Sequence, residues 1–345
     1  MPTIKDVAKL AGVSATTVSI ILGGKSEERK IPAATCERVR EAAREIGYRP
    51  DPSAKRLRGG GDRKPVIAFF WPMDYRLPVL ASFINSISKE LREQKAECEI
   101  VVQTFENDRL KESAQVLQDH YYSAIIVGAC SAADLEFLEA QKLTIPVVLI
   151  NRTSEQYSSV CVDNEKIGRE AAEMIYKKGY RSVALLTASE RYLQTRRRTT
   201  AFINTCRELG ISIDTDNGHI ISVPGNLAGG SMGAVQFCYL NNRPKMLFCE
   251  SASLALGALS AFQRLNVSIP ADLEVLAISM IGQEETLYSL PSLSIIDLPN
   301  EKMATRAIRI ILRQLHDALS GAGTPVHEME EADIIMRDSF RMPMV

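Results

Sequence analysis

The chain lacks the arrangements that most often carry catalytic chemistry. It has no Cys-x-x-Cys pair, no Gly-x-Gly-x-x-Gly and no Gly-x-Ser-x-Gly, and its four histidines, at 120, 219, 316 and 327, are dispersed without partner spacing. No metal clamp, dinucleotide fingerprint or nucleophile elbow can be read from it, so no metal, cofactor or enzymatic activity is expected. Gly24-Lys25-Ser26 has the tail of a phosphate-binding loop, but Ser19 stands where that motif needs a glycine. The seven cysteines (36, 98, 130, 161, 206, 238 and 249) are odd in number and scattered, mostly in apolar runs. That argues against a disulfide or zinc framework and for a reducing compartment. No apolar run approaches the ~18 residues of a membrane span, and the polar N-terminus does not read as a signal peptide, so a cytoplasmic protein is expected.

What is present is unevenly distributed. The net charge of −1 hides an asymmetry: residues 1–64 carry 14 Lys/Arg against 8 Asp/Glu, while the remainder is acidic. A basic module on an acidic body suits phosphate contact by one end, although a solvated surface can also be basic by chance. The length of 345 residues suggests two to three domains at ~150 residues each.

Residues 3–22 read as two short helices with a tight turn. Thr3 suits an N-cap, with Asp6 placed for a weak capping box, and Ile4, Val7, Ala8 and Ala11 recur at helical spacing. Gly12 suits a left-handed helix end, and Ser14 caps the next helix. Val18, Ile21 and Leu22 point back at the first helix, leaving Ala15, Thr16, Ser19 and Ile20 outside. This is the layout of a helix-turn-helix that enters a major groove, with an ordinary αα-hairpin as the bland alternative. A third helix fits 33–46, with Val39, Ala42, Ala43 and Ile46 inward, and a Pro-broken basic segment then runs into Gly59-Gly60-Gly61. From residue 65, short β-branched strands alternate with amphipathic helices. Strands are read near 66–70, 98–103, 123–128, 146–150, 183–187, 218–223, 245–249, 274–278 and 293–296, and helices at 79–94, 109–119 and 132–141. Repeated βα units imply buried parallel sheets with helices on both faces.

With those pieces in order, residues 3–58 resemble the headpiece and hinge of the lac repressor (LacI/GalR) family of bacterial transcription regulators. The matching segments are Ile-Lys-Asp-Val-Ala-Lys-Leu-Ala-Gly-Val-Ser, Thr-Val-Ser at 17–19, Gly-Tyr-Arg-Pro at 47–50, and Ala54 with Leu57. The body resembles the family's core, which is similar to a type I periplasmic binding protein. Its matches include Val-Asp-Asn-Glu-Lys-Ile-Gly at 162–168, Arg-Thr-Thr-Ala-Phe at 198–202, Ala-Leu-Gly-Ala at 255–258, Pro-Ser-Leu-Ser-Ile-Ile at 291–296 and Arg-Asp-Ser at 337–339. The resemblance implies an all-α headpiece over 1–58 with a hinge helix at 51–58, a linker at 59–64, and a two-lobed α/β core over 65–345. The chain would cross between lobes three times. Lobe 1 would take 65–160 and 298–322, and lobe 2 would take 161–292 and 323–342.

By the same resemblance, Ser14 to Ile20 form the recognition helix. Ser14, Thr17 and Ser19 carry hydroxyls for phosphate contacts, while Ala15, Thr16 and Ile20 align with base-choosing positions, where methyl contact to thymine is expected. Burial of Ile20 in the core is the alternative. In the hinge, the equivalent of Leu57 wedges into the minor groove, Ala54 permits close approach of two hinge helices, and Lys55, Arg56 and Arg58 meet phosphates. Two half-sites imply a homodimer on a near-palindromic operator. A tetramer is not expected, since no heptad-repeat helix follows the last strands.

A small molecule would bind in the cleft between the lobes, at strand C-terminal ends. Arg198 aligns with the family arginine that grips the effector, with a solvated helix-start cation as its alternative. Asp163 suits either a sugar hydroxyl or the N-cap of the helix at 164–178. Asn151 and Arg152 follow a strand end toward the cleft, Val79 and Leu80 stand at the first lobe-helix entry where an aromatic often stacks, Glu250 lies in the segment Cys249-Glu250-Ser251, and Ser279 replaces an aspartate. Such a cleft disfavours a neutral polyol and leaves the effector open: an anion, an unusual ligand, or none. The expectation is a cytoplasmic, homodimeric DNA-binding regulator, a repressor, controlled by a sugar or related metabolite. The alternatives are a regulator whose cleft has lost small-molecule control, and a plain solute-binding protein.

Overall fold

The first seven-residue strand of the core is buried along its whole length and shows how the core is built. In β1 (Val66–Pro72), Ile67, Phe69 and Trp71 enter one hydrophobic cluster while Val66, Ala68 and Phe70 enter another on the opposite face. A strand buried on both faces reads as a continuous apolar run and needs helices on each side. The computed structural model describes residues 4–22, 29, 31–45, 64–74, 76–117, 121–189, 192–213, 218–281, 283–317 and 324–341. The chain divides into two compact units, Met1–Arg63 and Lys64–Val345.

The first unit contains α1 (Ile4–Ala11), α2 (Ala15–Leu22) and α3 (Ala33–Glu45). Val7, Ala8 and Ala11 of α1, Val18 and Ile21 of α2, and Cys36, Val39, Ala42 and Ala43 of α3 form its core. The turn between α1 and α2 is set by Gly12 at φ +63°, which lets the Val13 amide donate back to the Ala8 carbonyl at 3.0 Å. A β-carbon at that φ is disfavoured, so glycine ends the helix there. Ser14 then caps α2, its Oγ accepting from the Thr17 amide at 3.1 Å. Thr3 and Ile46, expected as cap and core, lie outside the described residues.

In the second unit, β1 is followed by α4 (Leu77–Glu93), β2 (Glu99–Phe105), a 3-10 turn (Leu110–Ser113) with α5 (Ala114–Leu117), β3 (Ala124–Gly128), α6 (Ala132–Ala140), β4 (Val147–Ile150) and β5 (Ser158–Val162). Then come α7 (Asn164–Lys177), β6 (Ala184–Ala188), α8 (Leu193–Glu208), β7 (Ile220–Val223), α9 (Leu227–Cys238), β8 (Met246–Cys249), α10 (Ala252–Arg264), β9 (Glu274–Ser279), α11 (Gln283–Leu287) and β10 (Ser294–Asp297). The described chain closes with α12 (Asn300–Asp317), β11 (His327–Glu330) and β12 (Asp333–Ile335). One six-stranded sheet runs β11-β5-β4-β3-β1-β2 and the other β12-β10-β9-β8-β6-β7. Every strand pair is parallel except β10–β12. Two parallel-dominated sheets covered by helices are the expected type I periplasmic-binding-protein architecture.

The structure corrects four details. The expected lobe boundary after residue 160 cuts through β5, whose Ser158, Ser159 and Val160 pair with β4 while the strand runs on to Val162 beside β11. Residues 327–330, assigned by expectation to lobe 2, pair with β5 in the first sheet, and the return to the second sheet comes only at β12. β5 was not among the expected strands because Ser158 and Ser159 interrupt its apolar run. Their burial is offset by hydrogen bonds, with Gln314 Nε2 donating to Ser158 Oγ at 2.9 Å and Ser159 Oγ bonded to His327 Nδ1 at 2.9 Å. Finally, the single helix expected at 109–119 is a 3-10 turn leading into one turn of α-helix. The buried Asp134 carboxylate accepts from the amides of Asp108 and Leu110, at 3.0 and 2.9 Å, and pins that entry in turn geometry.

Candidate nucleic-acid interface and effector cleft

On α2, Thr16 and Ser19 are exposed, as is Ser14 before it, while Thr17 and Ile20 are half-buried. Ile20 lies outside the core cluster, so the buried alternative for it does not hold. Ala15 differs from expectation: it packs against that cluster, because Val18 and Ile21 draw the α2 N-terminus onto α1 and α3. Ser14 Oγ and Thr17 Oγ1 lie 2.8 Å apart, so these hydroxyls are held as a pair at the start of the helix. Lys5 and Lys9 of α1 and Arg38 and Arg40 of α3 are exposed cations on the same small unit. The hinge residues Ala54, Lys55, Arg56 and Leu57 lie outside the described residues.

In the core, the C-terminal ends of the strands of both sheets converge on a narrow cavity. Arg76 and Val79 line it from the first lobe, and Thr195, Arg198, Glu250 and Ser253 from the second. The cavity is narrow, about 30 Å³, which is room for roughly two waters. A wider groove, of about 580 Å³, is lined by Glu284, Glu285, Asp297, Glu301 and Asp333, with Lys302 as its cation. That groove is open and solvated, whereas the narrow cavity holds buried ionisable groups, the usual mark of a working site.

The narrowness has a local cause. Arg76 is buried, its guanidinium paired with the Asp74 carboxylate (Nε to Oδ1 3.0 Å) and donating from Nη1 to the Ala129 carbonyl at 2.9 Å. From there it stacks on the ring of Tyr192, the residue before α8, with Cζ 4.0 Å from the ring centroid. A first-lobe cation thus rests on a second-lobe aromatic, a contact favoured electrostatically by the ring face. Sequence reasoning missed Arg76; its one signal was a lone arginine directly before the Leu-Pro start of a lobe helix.

Arg198 is also buried and faces the cavity from α8, with Nη2 donating to Thr195 Oγ1 at 3.3 Å. It is held by the packing of α7 on α8. An added β-carbon at Gly168 of α7 would stand 2.2 Å from the Arg198 carbonyl oxygen, so the two helices meet backbone to backbone. Glu250 follows β8, and its carboxylate accepts from Thr199 at 3.0 Å and, more closely, from Thr187. Burial pushes its carboxyl above the ordinary range, against the opposing pull of those two hydroxyls and of the Arg198 charge. Ser251 caps α10, its Oγ accepting from the Leu254 amide at 3.3 Å, so the N-terminal first turn of α10 opens onto the cavity through Ala252 and Ser253.

The other expected cleft residues serve the frame around the cavity. Ser279 is fully buried and donates to the Ile281 carbonyl at 3.1 Å, leaving Met280 and Ile281 on the lining in its place. Leu80 is turned into the core cluster beside Phe83, while Val79 reaches the lining. Asp163 is exposed and caps α7 by accepting from the Lys166 amide at 2.8 Å, which is the capping alternative. Asn151 sits at φ +54° in a knot between lobes. Its Oδ1 accepts from Asn164 Nδ2 at 3.0 Å and its carbonyl from Gln194 Nε2 at 3.0 Å. Arg152 is buried behind the lining, donating from Nε to the Cys130 carbonyl at 2.6 Å and from Nη1 to the Asn151 carbonyl at 2.7 Å. Burial, with the nearby charges of Arg76 and Arg197, lowers its pKa from the ordinary arginine value. The cysteines are free, and burial raises the thiol pKa of five of them, pushing Cys206 up to about 12 and holding it protonated at neutral pH.

Comparison with known proteins places both units. Residues 3–51 match the model of the bacterial regulatory proteins of the lacI family, and residues 175–340 match a periplasmic binding protein-like domain. The chain is 33% identical to a LacI family transcription regulator from Clostridium acetobutylicum, covering 79% of this chain and 100% of that one, with a TM-score of 0.74. It is 25% identical to the transcriptional repressor CytR of Escherichia coli over 98% of this chain and 96% of that protein. The lac repressor dimer bound to operator and an anti-inducer shares the fold, at 20% identity and a TM-score of 0.68 over 98% of each chain. No helix among the described residues is long and apolar enough to cross a membrane. The chain therefore belongs to the lacI family of bacterial regulatory proteins: it is a DNA-binding transcription regulator and not an enzyme.

Proposed function

We propose that the protein is a cytoplasmic repressor that binds a near-palindromic operator as a homodimer and is controlled by a small molecule, a sugar or sugar derivative, in the interlobe cleft. The headpiece carries the first part. Thr16 and Ile20 offer methyl groups to base edges, while Ser14, Thr17 and Ser19 position the helix on phosphates. Ala15, half-buried, contributes less to base choice than its alignment implied. Residues 51–58 act as the hinge, Leu57 wedging into the minor groove with Ala54, Lys55 and Arg56 around it.

A dimer is supported by exposed apolar side chains on the core, and a near-palindromic operator would require one. The inward face of α9 carries Gly229, Gly230, Gly233 and Phe237, while Met232, Val235 and Tyr239 stand exposed on the opposite face. Tyr288 and Leu290, after α11, are 77% and 78% exposed. A second copy covering these exposed apolar side chains accounts for them.

Effector control rests on one observation, the contact between lobes of buried Arg76 with the half-buried Tyr192 ring, beside Arg198 and Glu250. A molecule entering there changes which lobe arrangement is favoured and so biases the hinge, a population shift between two states. The test is a binding titration of the full chain against its own upstream intergenic DNA at two salt concentrations, with and without a panel of sugars, sugar acids and nucleobases. Tight, sequence-selective binding that weakens with salt and responds to one compound is expected. Selective binding that no compound alters would leave a regulator without small-molecule control. Weak binding, equal on all DNA, would sink the operator reading.

A further inference from the structure

Which chemical class the cleft accepts follows from the balance of charge and donors around it. Three buried guanidinium groups, with the exposed Arg197 beside them, gather at the strand ends. Arg76 and Arg198 lie on the lining, and Arg152 is close enough to Arg76 and Arg197 to feel both charges. Two carboxylates oppose them. Asp74 is paired with Arg76, and Glu250 accepts from Thr187 and Thr199 beside the Arg198 charge. Among the described residues Arg152 makes no salt bridge; its printed hydrogen bonds go to the backbone carbonyls of Cys130 and Asn151. The remaining polar lining consists of hydroxyls, those of Thr195, Ser251 and Ser253, beside the N-terminal first turn of the 13-residue helix α10. A helix N-terminus favours negative charge, and a buried arginine fork matches the two oxygens of a carboxylate or phosphate. Around the cavity three buried guanidinium groups, Arg76, Arg152 and Arg198, stand against two carboxylates, Asp74 and Glu250.

We propose that the effector of this cleft is an anion, a small molecule whose carboxylate or phosphate bridges Arg76 of the first lobe and Arg198 of the second. The inference rests on the effector-controlled reading given above and names its ligand class. An anion between the two guanidinium groups replaces the Arg76–Tyr192 stack as the link between lobes. It also supplies a counter-charge for Arg152, which is buried and bonded only to backbone carbonyls. A neutral polyol offers none of this and leaves buried positive charge uncompensated, which low-dielectric surroundings penalise.

The test uses the full chain and matched pairs at constant ionic strength: D-galactose against D-galacturonate, D-glucose against D-glucose 6-phosphate, and inorganic phosphate alone. Thermal shift and calorimetry read the affinity of each. An acid or phosphate member is expected to bind at least tenfold tighter than its neutral partner and to weaken as sodium chloride is added. Arg76→Gln and Arg198→Gln should each reduce that binding tenfold or more, with far-UV circular dichroism checking the fold. Arg76→Lys and Arg198→Lys serve if a glutamine variant does not fold. A neutral sugar that binds as tightly as its acid overturns the anion class and leaves effector control standing. Anion binding that survives both substitutions places the anion elsewhere and also overturns the proposal. A flat response to every compound overturns it and counts against effector control as well.

Discussion

Truncating Phe202 to alanine tests whether the two lobes share one continuous core. Phe202 lies on α8, four residues after Arg198, is fully buried, and stacks on Phe248 of β8 with ring centroids 4.2 Å apart. Removing a buried phenyl ring costs about 3–5 kcal/mol, the lost transfer energy plus the cavity it leaves. With ~2–4 °C lost per kcal/mol in a domain of this scale, the melting temperature should fall by roughly 6–20 °C. Both rings belong to a cluster that also contains Trp71 of β1, the single tryptophan of the chain, in the other lobe. Thermal unfolding should therefore be followed twice, by far-UV circular dichroism and by Trp71 fluorescence. If the core is one cooperative unit, both transitions move down together, since coincident probes are the mark of two-state melting. A fall in the dichroism transition with Trp71 fluorescence unmoved would show that the lobes melt independently. A loss below about 1 kcal/mol would contradict the packing itself.

Other perturbations probe the frame around the two sites. Ser14→Ala removes the cap of α2 and should destabilise the headpiece by about 1 kcal/mol, read as a lower headpiece melting transition with the core transition unchanged. Gly168→Val forces α7 from α8 against the Arg198 carbonyl and should cost about 1–3 kcal/mol by overpacking; a denaturation midpoint equal to the wild type would mean the helices have room to spare. The Arg309 hydrogen bond, against the opposing effect of burial, holds the Glu90 carboxyl below its ordinary value. A folded pKa below the unfolded one stabilises the fold above the unfolded carboxyl range near ~4.3, and the benefit is lost as pH falls through the folded value. Glu90→Gln should thus flatten the acid limb of the stability–pH curve, and an unchanged limb would show that the α4–α12 ion pair contributes nothing.

Much of the molecule was legible in the sequence where a local rule sufficed. Gly12 and Ser14 fix the helix-turn-helix because one turn needs a left-handed residue and one helix needs a cap, both decided within a few residues of chain. The apolar β1 run announced a strand buried on both faces, and Val39, Ala42 and Ala43 announced the core face of α3. The cleft was legible only in part, because its chemistry is assembled from strand ends far apart in sequence. Arg198 and Glu250 were picked out and do line it, but Ser279, Leu80 and Asp163 are taken up by the frame: a carbonyl partner, a hydrophobic neighbour and a helix cap claim them. Arg76 could not have been chosen from sequence, since its role arises only when the Ala129 carbonyl and the Tyr192 ring are brought to it. The membership of β11 was likewise decided by strand pairing, because a short, half-exposed strand carries no pattern that says which sheet it completes. Sequence alone determined the family and most of the elements, through periodicities and turn residues that act locally, and it missed β5, where two serines interrupt the apolar run. The tertiary structure decided which charges share the buried space between the lobes, because only folding brings residues 76, 152, 198 and 250 together and strips them of water.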